Sequence, residues 1–329
     1  MKPERVIELS DPAIGLQGFV VIHTTAPGPA FGGCRVIGYD SPESCRADAI
    51  RLAEAMTYKF LINGMPGGGG KIAVMRGAIR DRRAVMHAIG DAIEALDGSY
   101  YSGPDSGLTP VDLAAIAERT SHVATEDLGP AAADGVVHAI RATAEHCGVA
   151  LDGMRTAIQG LGAVGLPVAS ALIKAGGRVV GADVDAAARA RAKSAGVELI
   201  EPGRLLHQTC ELWSPCGLGG VLNRSSARRL DCKTVVGAAN NQLADGDAVG
   251  ILHARGIVFV PDFLANSGAA IRGAWRQLRG TPGTDDEVAT IYDTTLRLLR
   301  DADRLGRPPW DVAMDQMRQA LAERARPRR

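Results

Sequence analysis

The sequence predicts an α/β protein of two α/β domains followed by a helical C-terminal part, and three observations carry that expectation. Short Val- and Ile-rich runs alternate with helical patterns through the middle of the chain, as in parallel sheets joined by right-handed crossovers. A glycine-rich turn separates one such run from the helix that follows it. Beyond Gly273 the pattern stays helical to the end. With 329 residues, the chain is long enough for two domains of ordinary size.

Residues 17–24 alternate and are rich in Val and Ile, which predicts a strand. Ser41-Pro42-Glu43 then supplies a helix start: an N-cap serine, a proline for the first turn and an acid suited to the helix dipole. Ala49, Leu52, Ala53 and Met56 recur at helical spacing and carry that helix to about Lys59. A short strand is expected over 71–75, a helix over 82–96, and another helix from Thr109-Pro110. Further on, strands are expected over 155–159 and 178–183, with helices over 163–175 and 186–195. Short apolar runs at 211–213, 234–236 and 257–260 extend the sheet, and Pro308-Pro309 separates two terminal helices. The expected domains are 1–129, 130–273 and the C-terminal helices of 274–329, the last packing back on the first domain.

Composition narrows the function classes. Lys plus Arg and Asp plus Glu number 37 each, so no global basic field draws the chain to nucleic acid or a membrane surface. No stretch approaches the roughly 20 apolar residues of a membrane span, and Met1-Lys2-Pro3-Glu4 does not open a secretory signal. The six cysteines are scattered without a CxxC pair, which reads as free thiols in a cytoplasmic protein. No His/Cys cluster has metal-ligand spacing, so no metal is expected.

The glycine-rich turn is Gly160-Leu161-Gly162-Ala163-Val164-Gly165, a GxGxxG match between an expected strand and an expected helix. In that context it predicts a Rossmann-type doubly wound domain that binds a dinucleotide. Gly160 permits the tight turn, Gly162 lets the backbone approach the pyrophosphate, and Gly165 lets helix and strand pack closely. The helix N-terminus, with Ala163 and Val164, supplies amide donors and positive potential. Asp183, 23 residues beyond Gly160, stands where a carboxylate would accept the ribose hydroxyls and repel a 2′-phosphate. The expected cofactor is therefore NAD, with Arg189 and Arg191 read as helix-surface charge.

The second constellation is Met56-Thr57-Tyr58-Lys59 followed by Gly67-Gly68-Gly69-Gly70-Lys71. Ile72 stands where a phosphate loop needs Ser or Thr. The glycines are instead expected to let backbone and ligand approach closely. A desolvated Lys71 beside a second lysine would favour its neutral form and make a general base.

With these motifs in one order, the chain resembles the Glu/Leu/Phe/Val dehydrogenase family, most closely its leucine and phenylalanine dehydrogenase branch. Further anchors are Gly32-Gly33-Cys34-Arg35, Gly103-Pro104-Asp105-Ser106-Gly107, Ser214-Pro215-Cys216-Gly217-Leu218-Gly219, Gly237-Ala238-Ala239-Asn240-Asn241 and Pro261-Asp262-Phe263-Leu264-Ala265-Asn266. The resemblance implies an N-terminal substrate domain and an NAD-dependent oxidative deamination of an apolar amino acid to its 2-oxo acid and ammonia, in a homo-oligomer. It implies that Lys59 binds the substrate carboxylate, Lys71 activates water and Asp105 shuttles protons. Gly32 and Phe31 would border the substrate, Asn266 both substrate and nicotinamide, and Asn240, Asn241 and Cys216 the cofactor. Cys216 is read as a small loop residue, because no histidine is motif-linked to it as a nucleophile's base would be.

Glutamate dehydrogenases carry a lysine immediately before the Gly-Gly-x-Arg motif, paired with the substrate's side-chain carboxylate; Phe31 stands there instead and predicts an apolar pocket. Three departures from the family pattern bear on that pocket. The stretch between Asp105 and Gly160 is shorter than usual, with Gly129-Pro130-Ala131-Ala132-Ala133 its best match to the family's Pro-x-Thr-Ala. Ala269 replaces a glycine, and Met65-Pro66-Gly67 precedes the glycine run. They leave open an enzyme retuned to a larger aromatic or non-proteinogenic amino acid and, in a different class, a catalytically silent NAD-binding paralogue.

Overall fold

In the computed structural model, which describes residues 2–324, strand alternation sets the first unit. Its elements are β1 (Arg5–Asp11), β2 (Leu16–Ile22), β3 (Ala30–Phe31), β4 (Cys34–Ile37), α1 (Pro42–Ile62), β5 (Gly68–Met75), α2 (Arg82–Glu94), β6 (Tyr100–Tyr101) and α3 (Pro110–Ala117). The sheet order is β1-β2-β5-β3-β6, with β4 also on β5. Strands β1, β2 and β5 run antiparallel, whereas β3 and β4 lie parallel to β5. Because side chains alternate between faces, Val20, Ile22, Ile72 and Val74 pack with Val85, Met86 and Ile89 of α2. Phe19, Val21 and Ala73 pack on the other face with Cys45, Ala49 and Ala53 of α1. Helix α1 starts as the sequence predicts, with Ser41 and Ser44 closing a capping box.

The glycine run differs from its expectation. Gly68, Gly69 and Gly70 lie inside β5, and each is required by neighbouring protein. A Cβ at Gly69 would stand 2.2 Å from Ala53 O and 2.3 Å from Thr57 N, one at Gly68 1.9 Å from Thr24 O, and one at Gly70 2.6 Å from the Tyr100 ring. The run therefore lets helix, strand and aromatic ring close on one another.

The second unit is a parallel sheet wound on both sides. It comprises α4 (Gly129–His146), β7 (Arg155–Gln159), α5 (Gly165–Lys174), β8 (Arg178–Ala182), α6 (Ala186–Ser194), β9 (Glu198–Leu199), α7 (Pro202–Leu205), β10 (Leu212–Pro215), α8 (Arg224–Arg229), β11 (Thr234–Val235), α9 (Asp247–Ala254), β12 (Val258–Phe259) and α10 (Asp262–Ala265). The order β12-β11-β10-β7-β8-β9 is all parallel and reverses direction at β7, as in Rossmann-type folds. Three helices close the chain: α11 (Gly268–Arg279), α12 (Asp285–Leu305) and α13 (Pro309–Arg324).

The C-terminal part divides where the sequence predicts a single return to the first domain. Residues 270–283 and 320–324 belong to the first unit, and 284–319 to the second. The physical reason lies in α12, whose Ile291 reaches within 2.9 Å of the Cβ position that Gly135 of α4 leaves open.

Candidate active site

Substrate candidates cluster in the first unit. Lys71 sits in mid-β5, 5% exposed, in register with Val21 and two residues from Ala73, so its side chain leaves the sheet on the α1 face. Lys59, also buried, ends α1. Both lysines stand two residues beyond the point where α1 and β5 touch, at Thr57 and Gly69. Asp105 follows β6 in the turn Gly103–Gly107, and its Oδ2 accepts from Lys71 Nζ. Its Oδ1 accepts from Ser106 N at 2.5 Å and from Arg35 Nε and Nη2 at 3.3 Å each. Burial raises the Asp105 carboxyl, but the Lys71 and Arg35 cations more than offset this and hold it well below the usual carboxylate range. Lys71 is thus paired with a carboxylate, a contact the sequence did not announce although it offered Asp105 as a proton relay.

Phe31 on β3 is buried in an aromatic stack, with ring centroids 4.9 Å from Phe60 and 5.3 Å from Tyr101. A Cβ at Gly67 would come within 2.9 Å of the Phe31 ring, so the Met65-Pro66-Gly67 segment backs that stack. Gly32 is needed for close strand approach, since a Cβ there would stand 1.9 Å from Gly70 O. Cys34 is fully buried and its thiol is pushed up to about 12, chiefly by burial, so it is no nucleophile at neutral pH.

Cofactor candidates lie in the second unit, all beyond the carboxyl ends of parallel strands: Gly160 after β7, Asp183 after β8, Cys216 after β10, Asn240 and Asn241 after β11, and Asn266 after β12. The three motif glycines are sterically distinct. Gly160 has φ +88° and its Cβ would strike Gly217 at 2.6 Å, while a Cβ on Gly165 would stand 1.9 Å from Gly160 O. Gly162 faces open space within 4 Å. Ala163 and Val164 lie in the turn before α5, which starts two residues later than the periodicity suggested; Val164 is its N-cap and offers no side-chain cap. An uncapped helix start of this kind leaves its amides for an anion.

Asp183 accepts from Leu161 N at 2.7 Å and Asp185 N at 2.8 Å, which ties the end of β8 to the glycine turn. Arg189 pairs with Glu201 at 3.5 Å. Asn266 Nδ2 donates to Ala238 O at 3.0 Å and to Asn240 Oδ1 at 2.8 Å, while its Oδ1 is buried with no hydrogen-bond partner among the described residues. Asn241 has φ +53° and its amide donates to Asp262 Oδ2 at 2.5 Å. Cys216 backs the turn, its Cβ 3.0 Å from the Cβ position that Gly165 lacks, and burial raises its thiol. It fills space beside the glycines.

Sequence reasoning quoted Arg35 and Asp262 within motifs but gave neither a role, and missed Asp48. The available signal was a charged residue inside an otherwise glycine-rich or apolar anchor. Among the described residues, no group of three or more His, Cys, Asp or Glu could hold a metal ion, and no helix is long and apolar enough to cross a membrane.

Comparison with known proteins accords with this geometry. Residues 3–122 match the family model for the Glu/Leu/Phe/Val dehydrogenase dimerisation domain, and residues 182–275 that for glutamate/leucine/phenylalanine/valine dehydrogenase. The chain is 32% identical to leucine dehydrogenase of Thermoactinomyces intermedius, over 98% of this chain and 92% of that one. It is 31% identical to phenylalanine dehydrogenase of Caldalkalibacillus thermarum, again over 98% and 92%. The solved L-tryptophan dehydrogenase of Nostoc punctiforme superposes with a TM-score of 0.81 at 29% identity, covering 99% of this chain and 98% of that structure.

Proposed function

As the chain belongs to the glutamate/leucine/phenylalanine/valine dehydrogenase family, we propose that it is an NAD-dependent L-amino acid dehydrogenase, interconverting an apolar α-amino acid with its 2-oxo acid and ammonia. The observation that carries this reading is the largely buried contact between Lys71 and Asp105, whose side chains are 6% and 12% exposed. Burying two charges is costly, and a strand packed this tightly has no folding need of them; chemistry does.

The residues suit the cofactor. Gly162 leaves room for a pyrophosphate, the uncapped start of α5 offers amides, and Asn266 Oδ1 is a buried acceptor suited to a carboxamide N–H. A nicotinamide held by these residues would supply the acceptor for the hydride of the substrate Cα. Lys59 holds the substrate carboxylate. Lys71 activates the water that attacks the imino carbon, and Asp105 relays protons at the nitrogen. NAD is favoured over NADP because the Asp183 carboxylate would repel a 2′-phosphate, and Arg189 is engaged by Glu201.

Phe31 in its aromatic stack supports an apolar side-chain pocket, in which a glutamate side chain would lack a counter-charge. The assembly is a homo-oligomer, supported by the match of residues 3–122 to a dimerisation domain. Six unpaired cysteines support a reducing, cytoplasmic setting.

The test is NADH formation from a panel of apolar amino acids at alkaline pH, with the reverse reaction from 2-oxo acids and ammonium. Turnover of leucine, valine, phenylalanine or tryptophan with little on glutamate is expected. Glutamate turnover at matching rates would refute the pocket reading, and NAD binding without any turnover would refute the enzyme reading.

A further inference from the structure

The two oxygens of Asp105 have different partners. Oδ1 takes Ser106 N and both Nε and Nη2 of Arg35, whereas Oδ2 takes only Lys71 Nζ among the bonds given above. Arg35 is itself held from behind. Its Nη1 donates to Asp48 Oδ2 at 3.2 Å, and Asp48 also accepts from Tyr39 OH at 2.8 Å and from Arg51 Nη2 at 2.6 Å. The Arg35 and Asp48 side chains are 14% and 12% exposed, so water screens this chain of charges little. β4 brings Arg35 into register with Ala73, on the α1 face where Asp48 sits. A guanidinium is suited to such a bridge, because its planar fork can fix two carboxylates at once.

We propose that Arg35 is a positioning residue that divides the labour of the Asp105 carboxylate: it fixes Oδ1, anchored by Asp48 on α1, so that Oδ2 alone exchanges the proton. This rests on the proposed dehydrogenase reading, in which Asp105 is the relay. The arrangement has two separable parts. The charge of Arg35 keeps Asp105 ionised and ready to accept a proton, and the fork sets the direction in which Oδ2 points. Lys71 on β5, Cys34 on β4 and Tyr100 on β6 also interact electrostatically with Asp105.

Three variants separate the parts, each read as kcat, KM and the pH profile of kcat with the wild type's preferred amino acid. Arg35→Met removes charge and fork. Its kcat should fall about 100-fold, the cost of misplacing a reacting group, and the acid limb should move up by about one pH unit as the coupled Lys71–Asp105 pair loses a neighbouring cation. Arg35→Lys keeps the charge, so the limb should stay near its wild-type position while kcat still falls. Asp48→Asn keeps Arg35 but frees its far end, so kcat should fall with no upward move of the limb. A substrate KM close to wild type throughout separates this role from carboxylate binding.

Arg35→Met with kcat within about twofold of wild type and an unmoved limb overturns the proposal. If Arg35→Met does not fold, unchanged kcat in both Arg35→Lys and Asp48→Asn overturns it. A wild type inactive on every amino acid overturns the function reading and this inference together; an active wild type with indifferent variants overturns this inference alone.

Discussion

The glycines of the dinucleotide turn show how one residue type serves unlike purposes. Gly160 and Gly165 are forced by protein atoms that a Cβ would strike, whereas Gly162 has no neighbour to exclude a side chain. Gly162→Val should therefore leave the melting temperature of the ligand-free protein nearly unchanged and abolish NADH binding, measured by fluorescence titration. Gly165→Ala should lower stability by about 1–3 kcal/mol through overpacking. A Gly162→Val protein that still binds NADH like wild type would show that the pyrophosphate does not approach there. Asp183→Ser should weaken NAD use and spare NADP, checked by kcat/KM for each; a wild type that prefers NADP would overturn the assignment. The positions of these residues are legible in sequence because the motif spacing encodes a local backbone path. The ties of Arg35 to Asp105 and of Asn241 to Asp262 are not, since they join segments far apart in the chain that only the folded sheets bring together.

Among elements, helix α1 and strand β5 illustrate the limit of reading motifs one at a time. The glycine run predicts close approach to a ligand, and the structure shows that α1 also approaches it closely. Gly69→Ala should cost about 1–3 kcal/mol and reduce turnover, as helix and strand separate near both lysines; an unchanged denaturation midpoint would contradict the contact. The two-residue strands β3 and β6 escaped the sequence reading because two residues carry no periodicity. Helix α3 was legible from its cap, and the same cap makes it acid-sensitive. Burial raises the Asp112 carboxyl, but Arg82 and Thr109 outweigh this and hold it down at about 2. A carboxyl lowered in the folded state stabilises above its unfolded value near 4, and that contribution is lost as pH falls from there through about 2. Urea midpoints of wild type should fall across that window, and those of Asp112→Asn should fall less. Equal slopes for the two proteins would remove Asp112 from the account.

For the whole molecule, the sequence announces two α/β units but not how the C-terminal helices are shared. Periodicity marks the apolar face of α12, with Val288, Ile291, Leu298 and Leu299 buried, yet it is silent on which unit receives that face. Substrate candidates fall in one unit and cofactor candidates in the other, so binding and chemistry should come apart by mutation. A ligand that binds only the folded state stabilises it by about 2.7 kcal/mol at a hundredfold excess over its Kd. NADH should raise the melting temperature of wild type accordingly. Lys71→Ala should lose at least about 100-fold in kcat, as expected on removing a general base, while keeping the full NADH-induced rise. Asp105 still has Arg35 in that variant, so the buried carboxylate is not left without a cation. Gly162→Val should do the opposite at the level of binding, with an ordinary melting temperature and no NADH-induced rise. Lys59→Ala should keep the rise and raise the amino acid KM, because a carboxylate holder acts in ground and transition states alike. If Lys71→Ala lost the NADH response as well, the two units could not be treated as separate carriers of chemistry and cofactor. If it kept near-wild-type turnover, the base would have to be sought elsewhere in the first unit.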